Sequence, residues 1–469
     1  MNGSVLLINT NIARPPVSPV GLEYVGETLI RAKVPVQVLD LVFEADWKTG
    51  LTRELKEEPL LVAVTVRNTD DCCFATRRSF LPWISEVVAE IRRLSGAFCL
   101  LGGGGFSIMP ETTLKLTRAD AGIAGDGEGA VTELAKCLMN GKDISHLPNL
   151  VYQYEDRVIL NPRVNTDLER LPVPGRQLFN NQRYEQLGAM VGIETKRGCT
   201  QRCIFCADPL AKGNSLRLRP PASVAQEFQA LFSQGISWFH LGDSEFNLPL
   251  SHAKEVCRAI IQAGLGEKIR WYTYCSPIPF DRELTHLMLR AGCAGINFGV
   301  DSLCDEQLPR LDKSHTINDI YRLLPLLDGM NYMFDLLVGA PGETVETVKA
   351  TVDKARELDI PLVGIAAGVR IYPETPLGQA VASRAIKRGL YPATGDKTGE
   401  PLFYLSPHLS SDVFSLISKL VAGDPRFLIL ATPAEDGSYN YADDETLSQL
   451  IKEGARGAYW DIIRQAKMR

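Results

Sequence analysis

Lys196-Arg-Gly-Cys199-Thr-Gln-Arg-Cys203-Ile-Phe-Cys206 directly follows a short apolar run, residues 191–195, that reads as a strand. Three thiols spaced C-x3-C-x2-C in one loop can wrap one face of an iron–sulfur cube and leave a fourth iron without a protein ligand. An iron left open in this way can chelate the amino and carboxylate groups of a small molecule, which is what S-adenosylmethionine (SAM) offers. Zinc prefers four closed ligands, often in two C-x2-C pairs, and no second pair lies nearby. The loop therefore predicts a [4Fe–4S] cluster on Cys199, Cys203 and Cys206, and SAM as its ligand.

Outward from this loop, strand and helix patterns alternate. Residues 238–241, 269–274, 295–300, 333–338 and 362–371 read as strands, with helical periodicity at 222–234, 251–263, 282–290, 317–327 and 343–358. Six strands with intervening helices predict a partial (β/α)6 barrel over 190–380, whose chemistry belongs at the C-terminal ends of the strands. Upstream, five short apolar runs alternate with helices between residues 5 and 139, which predicts a parallel, flavodoxin-like (Rossmann-type) domain over 1–140. Residues 141–189, with a hairpin around Glu155-Asp156 and a Pro-rich break at 171–175, read as a linker. Residues 381–469 read as a mostly helical closing region. The fold class is α/β throughout.

The chain has 469 residues, 45% of them apolar and 23% charged, with a net charge of −6. This is the balance of a globular protein of two to three domains, and the acidic excess argues against a nucleic-acid partner. No apolar run reaches the ~18 residues of a membrane span. The first residues lack a basic start and a cleavage site, so they read as a buried strand and not as a signal peptide. The isolated cysteines among apolar neighbours fit a reducing, cytoplasmic setting.

The order of motifs after the cysteine loop resembles the radical SAM family across nearly 200 residues. Gly242-Asp243-Ser244-Glu245 resembles the family's Gly-Gly-Glu segment, which implies that Glu245 or Asp243 holds the SAM ammonium. Gly299-Val-Asp301-Ser302 resembles its Gly-Val-Glu-Ser segment, whose acid reaches the SAM ribose. Gly339-Ala-Pro-Gly342-Glu343 resembles its glycine-rich turn near the adenine; read by itself, it is a strand-to-helix turn. Arg370-Ile-Tyr372-Pro-Glu-Thr-Pro376-Leu resembles its adenine-side segment.

The first domain resembles the cobalamin-binding domain that precedes many radical SAM cores. Gly102, Gly103 and Gly104 follow the fourth predicted strand, and Gly125, Gly127 and Glu128 follow the fifth. Bare glycine backbone lets a large flat ligand approach a sheet edge. The histidine that ligates cobalt from below in some cobalamin domains has no counterpart, because Ser18 and Pro16 stand at the positions of its His and Asp. Arg67, after the third strand, resembles the arginine below cobalt in the tryptophan C-methyltransferase branch. A surface ion pair of Arg67 with Asp70 or Asp71 is the alternative.

The resemblance implies an enzyme that moves a methyl group from SAM by way of cobalamin to a carbon, or a phosphorus, of a small-molecule or peptide substrate. A flavodoxin or ferredoxin would serve as electron donor. Two alternatives stay open: ring formation or rearrangement on the same cofactors, and a non-catalytic cobalamin sensor. In the C-terminal region Tyr459-Trp460 between glycines, and Tyr439 and Tyr441, read either as packing residues or as part of the substrate pocket.

Overall fold

The computed structural model describes residues 2–13, 15–392, 399–430 and 445–467. Two seven-stranded sheets organise the chain. The first holds β1 (Asn2–Asn9), β2 (Val36–Asp40), β3 (Pro59–Thr65), β4 (Phe98–Gly102), β5 (Ala121–Ile123), β6 (Leu150–Tyr154) and β7 (Arg157–Leu160), in the order β2-β1-β3-β4-β5-β6-β7. Its first five strands are parallel, in the 2-1-3-4-5 order expected of a flavodoxin-like sheet. Helices cover both faces, so β1 is apolar on both sides. Leu6 and Ile8 enter one core cluster, and Val5 and Leu7 enter the other.

The hairpin assigned above to the linker instead extends this sheet. Its first strand, β6, pairs antiparallel with β5 through Ala121–Tyr152 and Ile123–Leu150. Pairing satisfies the free edge of β5, which an isolated hairpin would leave open.

The second sheet contains β8 (Val191–Ile193), β11 (Trp238–Leu241), β12 (Arg270–Cys275), β13 (Cys293–Asp301), β14 (Tyr332–Val338), β15 (Val363–Ala367) and β19 (Phe427–Ile429), running β19-β15-β14-β13-β12-β11-β8. All its pairings are parallel. The six expected strands are present, and β19 from the C-terminal region adds a seventh. The same region also supplies β17 (Leu390–Tyr391) and β18 (Phe403–Tyr404); β18 pairs with β16 (Val369–Arg370), and β17 pairs with β18. Two short strands, β9 (Lys196–Arg197) and β10 (Arg217–Leu218), close the cysteine loop at its base. Among the described residues, no helix is long and apolar enough to cross a membrane.

A buried ionic network joins the two sheets. Arg176 bridges Glu23 of the helix Val20–Arg31 and Glu227 of the helix Pro221–Ser233, both at 2.5 Å. Arg219 reaches Glu227 at 2.6 Å, and the Tyr24 hydroxyl faces the same carboxylate. Nearby, Arg197 of the barrel pairs with Glu128 at 2.5 Å and Asp126 at 3.2 Å. Buried pairs of this kind add little net stability but penalise any arrangement that separates the partners. They fix the angle at which the first sheet faces the barrel mouth.

Candidate functional site

The cysteine loop hangs from the end of β9. Gly198 has φ +93°, and a Cβ there would lie 2.0 Å from the Ser215 carbonyl oxygen, so only glycine permits the turn. The Cys199 N–H donates to the Gly213 carbonyl at 3.2 Å, and Cys206 N–H donates to the Cys203 carbonyl at 3.2 Å. The loop is pinned further by Ile204, whose N–H donates to Leu311 O and whose carbonyl accepts from Leu377 N–H. Burial pushes all three thiols up, Cys203 to about 11, and the thiols oppose one another's ionisation. They therefore share one small volume. Among the described residues no three His, Cys, Asp or Glu side chains gather tightly enough for a single metal ion. A cube asks for a wider triangle, since each thiolate binds a different iron.

Around this volume the sequence-derived acids separate into two groups. Asp243 is buried and turned away: it accepts from the Thr195 N–H at 2.9 Å and from the Thr195 hydroxyl, tying the β11 turn to the base of the cysteine loop. The expectation that it might face SAM is corrected on this ground. Gly242 and Ser244 are also used locally, through Lys212 Nζ on the Gly242 carbonyl at 2.8 Å and the Ser244 hydroxyl on Asp208. Glu245 is different. Its Oε2 is buried with no hydrogen-bond partner, and burial pushes the carboxyl up to about 8 despite Lys313 nearby. An orphaned acid beside the thiols fits an incoming ammonium, which would supply the missing partner.

Asp301 ends β13 at a bulge, with φ +63° and a register shift against β14. The bulge re-aims its carboxylate into the cavity described below, where Lys313 Nζ meets it at 2.6 Å. Ser302 does not follow; it is buried, with its hydroxyl 3.1 Å from Thr351 Oγ1. Gly339, at φ +108°, serves as the strand-to-helix turn. Its N–H donates to Glu343, and a Cβ would lie 2.5 Å from Leu405 Cδ1. Tyr372 does line the cavity, stacked under Arg370 at 4.4 Å and 3.2 Å from Cys72 Sγ of the first sheet.

One cavity of about 1140 Å³ runs from the C-terminal edge of the first sheet into the barrel. It begins at the loops after β1 (Thr10, Asn11) and β3 (Arg67, Asn68, Thr69). The strand order reverses between these two strands, which is where open α/β sheets take ligands. Arg67 projects into it. Asp70, one of the partners considered for Arg67, pairs with Arg370 at 2.7 Å instead, and Asp71 accepts from Cys73 N–H and Thr76. Among the described residues Arg67 thus has no ion pair, and burial draws its pKa below the usual guanidinium range.

The glycine loops stand behind this edge. A Cβ on Gly103 would lie 2.8 Å from the Val66 carbonyl, so Gly103 lets the β4 loop pack on the backbone that carries Arg67. Gly103 and Gly104 are exposed, whereas Gly102 and Gly125 are half-buried with open space or only light contacts around them. Gly127 packs by Val25, and Glu128 is consumed by Arg197, so neither faces the cavity. Ser18, at the position of the absent histidine, accepts from the Gly192 N–H of β8 at 3.3 Å.

Deeper in the barrel the walls carry His240, Tyr274, Asn297 and Asp335, residues the motif reading passed over. Asp335 is the lone charge in the apolar strand Tyr-Met-Phe-Asp-Leu-Leu-Val of β14, a signal that was available in the sequence. Burial pushes Asp335 up to about 7 and His240 down to about 4. Trp460 forms the floor: its Nε1 donates to Asn297 Oδ1 at 2.7 Å, and a Cβ on Gly295 would lie 2.8 Å from its ring. Gly457 brings the segment against Tyr272, whose hydroxyl donates to Asp461 at 2.8 Å. Both readings of Tyr459-Trp460, packing and pocket, therefore hold. Tyr439 and Tyr441 lie outside the described residues.

Residues 193–355 match the family model of the radical SAM superfamily. Tryptophan 2-C-methyltransferase of Streptomyces laurentii is 29% identical, over 98% of this chain and 95% of its own. The radical SAM methyltransferase TsrM of Kitasatospora setae has been solved with tryptophan and a SAM analogue bound. That structure is 32% identical to this chain, covers 99% of it and 98% of its own length, and has a TM-score of 0.91. The chain belongs to the cobalamin-dependent radical SAM methyltransferases. A second TsrM structure, holding cobalamin and a [4Fe–4S] cluster, matches equally well, with 31% identity and a TM-score of 0.91. The chain is thus an enzyme acting on a small-molecule substrate, and the sensor alternative falls away.

Proposed function

We propose that this methyltransferase transfers a methyl group from SAM to a ring carbon of tryptophan or a closely similar indole. The observation that carries the reading is the continuous cavity joining Arg67 at the edge of the first sheet, Cys206 of the cysteine loop, Asp301, and the barrel interior at Asp335 and Trp460. Near full-length similarity to an enzyme named for tryptophan supports the choice of substrate.

In this reading Cys199, Cys203 and Cys206 hold the [4Fe–4S] cluster, which supplies an open iron and an electron. The loops after β1 and β3 would hold cobalamin, which would supply the methyl-transfer chemistry. Glu245 receives the SAM ammonium, Asp301 the ribose hydroxyls, and the Tyr372 segment flanks the adenine. Lys313 fixes the Asp301 carboxylate and places a cation beside Cys203. Arg67, whose guanidinium offers no lone pair to a metal, would line that site without serving as a ligand. Trp460 and its neighbours exclude water from the far end.

The electron donor is a flavodoxin or ferredoxin if the chemistry demands one. A tryptophan-type reaction proceeding by polar methyl transfer consumes no electron in each turnover. Anaerobic assay of the reconstituted enzyme with methyl-labelled SAM and tryptophan tests the proposal. Label in a methyltryptophan supports it; SAM consumption with unlabelled or no product overturns it.

A further inference from the structure

Among the described residues, Arg67 and Asp335 line the cavity without an ion pair. Asp301 is engaged with Lys313, Arg370 with Asp70, Asp208 with Lys212 and Ser244, and Asp71 with Thr76 and backbone N–H groups. Arg67 remains at the sheet edge, and Asp335 remains inside the barrel. The Tyr274 hydroxyl lies within electrostatic reach of both.

Asp335 is a built acceptor. Asn297 Nδ2 donates to its Oδ2 at 3.1 Å, and Asn297 is itself oriented by Trp460 Nε1 on its Oδ1. This chain fixes the amide so that its NH2 faces the acid. Asp335 lines the cavity, and among the described residues no hydrogen bond reaches its second oxygen, Oδ1. A Cβ added to Gly364 of β15 would stand 3.0 Å from Oδ1, so bare backbone keeps the space beside it free. Three neighbouring strands and the C-terminal segment thus converge on one carboxylate with a single unused face. Burial and the like charge of Asp301 disfavour its ionised form in the absence of a cation.

The geometry points to Asp335 as the specificity-determining residue of the substrate pocket, its free oxygen receiving the protonated amino group of an aromatic amine or amino acid. A ligand ammonium supplies the cation that no side chain provides, and a charge-assisted hydrogen bond of this kind in a water-poor pocket is worth more than a neutral one. The inference rests on the reading of the pocket as a tryptophan site and names the group by which it holds its ligand.

The test is binding, scored without turnover. Holoprotein with SAM is titrated by calorimetry with tryptamine, which keeps the ammonium, and with indole-3-propionate, which lacks it. The wild type should prefer tryptamine, and Asp335→Asn should weaken tryptamine binding by about tenfold or more while leaving the propionate little changed. Asp335→Glu should restore part of the preference. Iron and corrinoid content of each variant guard against misfolding. Equal affinity for the two indoles in the wild type, or an unchanged preference in Asp335→Asn, overturns the assignment. Tryptamine binding without methylation of tryptophan would instead sink the proposed reaction and leave the amine site standing.

Discussion

Lys313 Nζ stands 2.6 Å from Asp301 Oδ2 and 2.8 Å from the Gly299 carbonyl, so one ammonium spans the bulge that ends β13. Both side chains are nearly buried, and Lys313 is the cation facing Cys203 and Glu245. Lys313→Met keeps the aliphatic stem and strands Asp301. SAM affinity, measured by equilibrium dialysis on reconstituted protein, should fall by about tenfold or more, because an unpaired buried charge costs over 1 kcal/mol. Unaltered SAM binding would show that the bulge needs no clamp.

The three thiols act as one unit. Cys199→Ala, Cys203→Ala or Cys206→Ala should each leave reconstituted protein with little bound iron and no SAM cleavage. Iron and sulfide assays with visible absorption give the readout. A full iron complement in any of the three would contradict the ligand set.

Gly198 tests the loop without touching a thiol. Gly198→Ala places a Cβ 2.0 Å from a backbone oxygen at φ +93°. The turn must then reopen, at a cost of about 3 kcal/mol or more. Iron incorporation should fail while the first sheet stays folded, which far-ultraviolet circular dichroism and limited proteolysis distinguish.

The raised pKa of Asp335 sets a direction for stability against pH. Its folded value of about 7 lies above the ordinary 3.8. A folded pKa above the unfolded one means that the stability it contributes is whole at acid pH and is lost as pH rises from 3.8 through 7. Asp335→Asn should therefore melt higher than wild type at pH 8, with the gap closing toward pH 5. The ceiling on the gain is about 4 kcal/mol. Ligand-free protein scanned at both pH values checks this, and a gap independent of pH would contradict it.

On the proposed placement of cobalamin beside Arg67, Arg67→Ala should leave corrinoid bound but open the space next to it to water. The visible spectrum of the bound corrinoid should shift toward that of a water-ligated form, and methyl transfer should fall at least about tenfold. A spectrum identical to wild type would place Arg67 elsewhere.

The sequence made the parallel strands of both sheets legible because buried strands announce themselves as apolar runs between helical periods, as at Pro59–Thr65 and Phe98–Gly102. The cysteine loop was legible because its chemistry lies in local spacing. The orientation of acids within a turn was not. Asp243 and Glu245 are two residues apart in one motif, yet one caps a neighbouring turn and the other faces the thiols. Gly339 and Ser302 went to turns and packing for the same reason. Partners distant in sequence were least visible: Lys313 for Asp301, Asn297 for Asp335 and Trp460 for Asn297 depend on strand register, which no local pattern encodes. β19 (Phe427–Ile429) was not anticipated from the sequence.

Trp460 gives the enzyme an adjustable depth. Trp460 helps close one end of the cavity, whereas Cys199, Cys203, Cys206, Glu245 and Asp301 sit on earlier strands and loops of the chain. Selection can therefore resize the acceptor compartment, with a smaller or larger stopper at one address, and leave the activation chemistry at the other end intact.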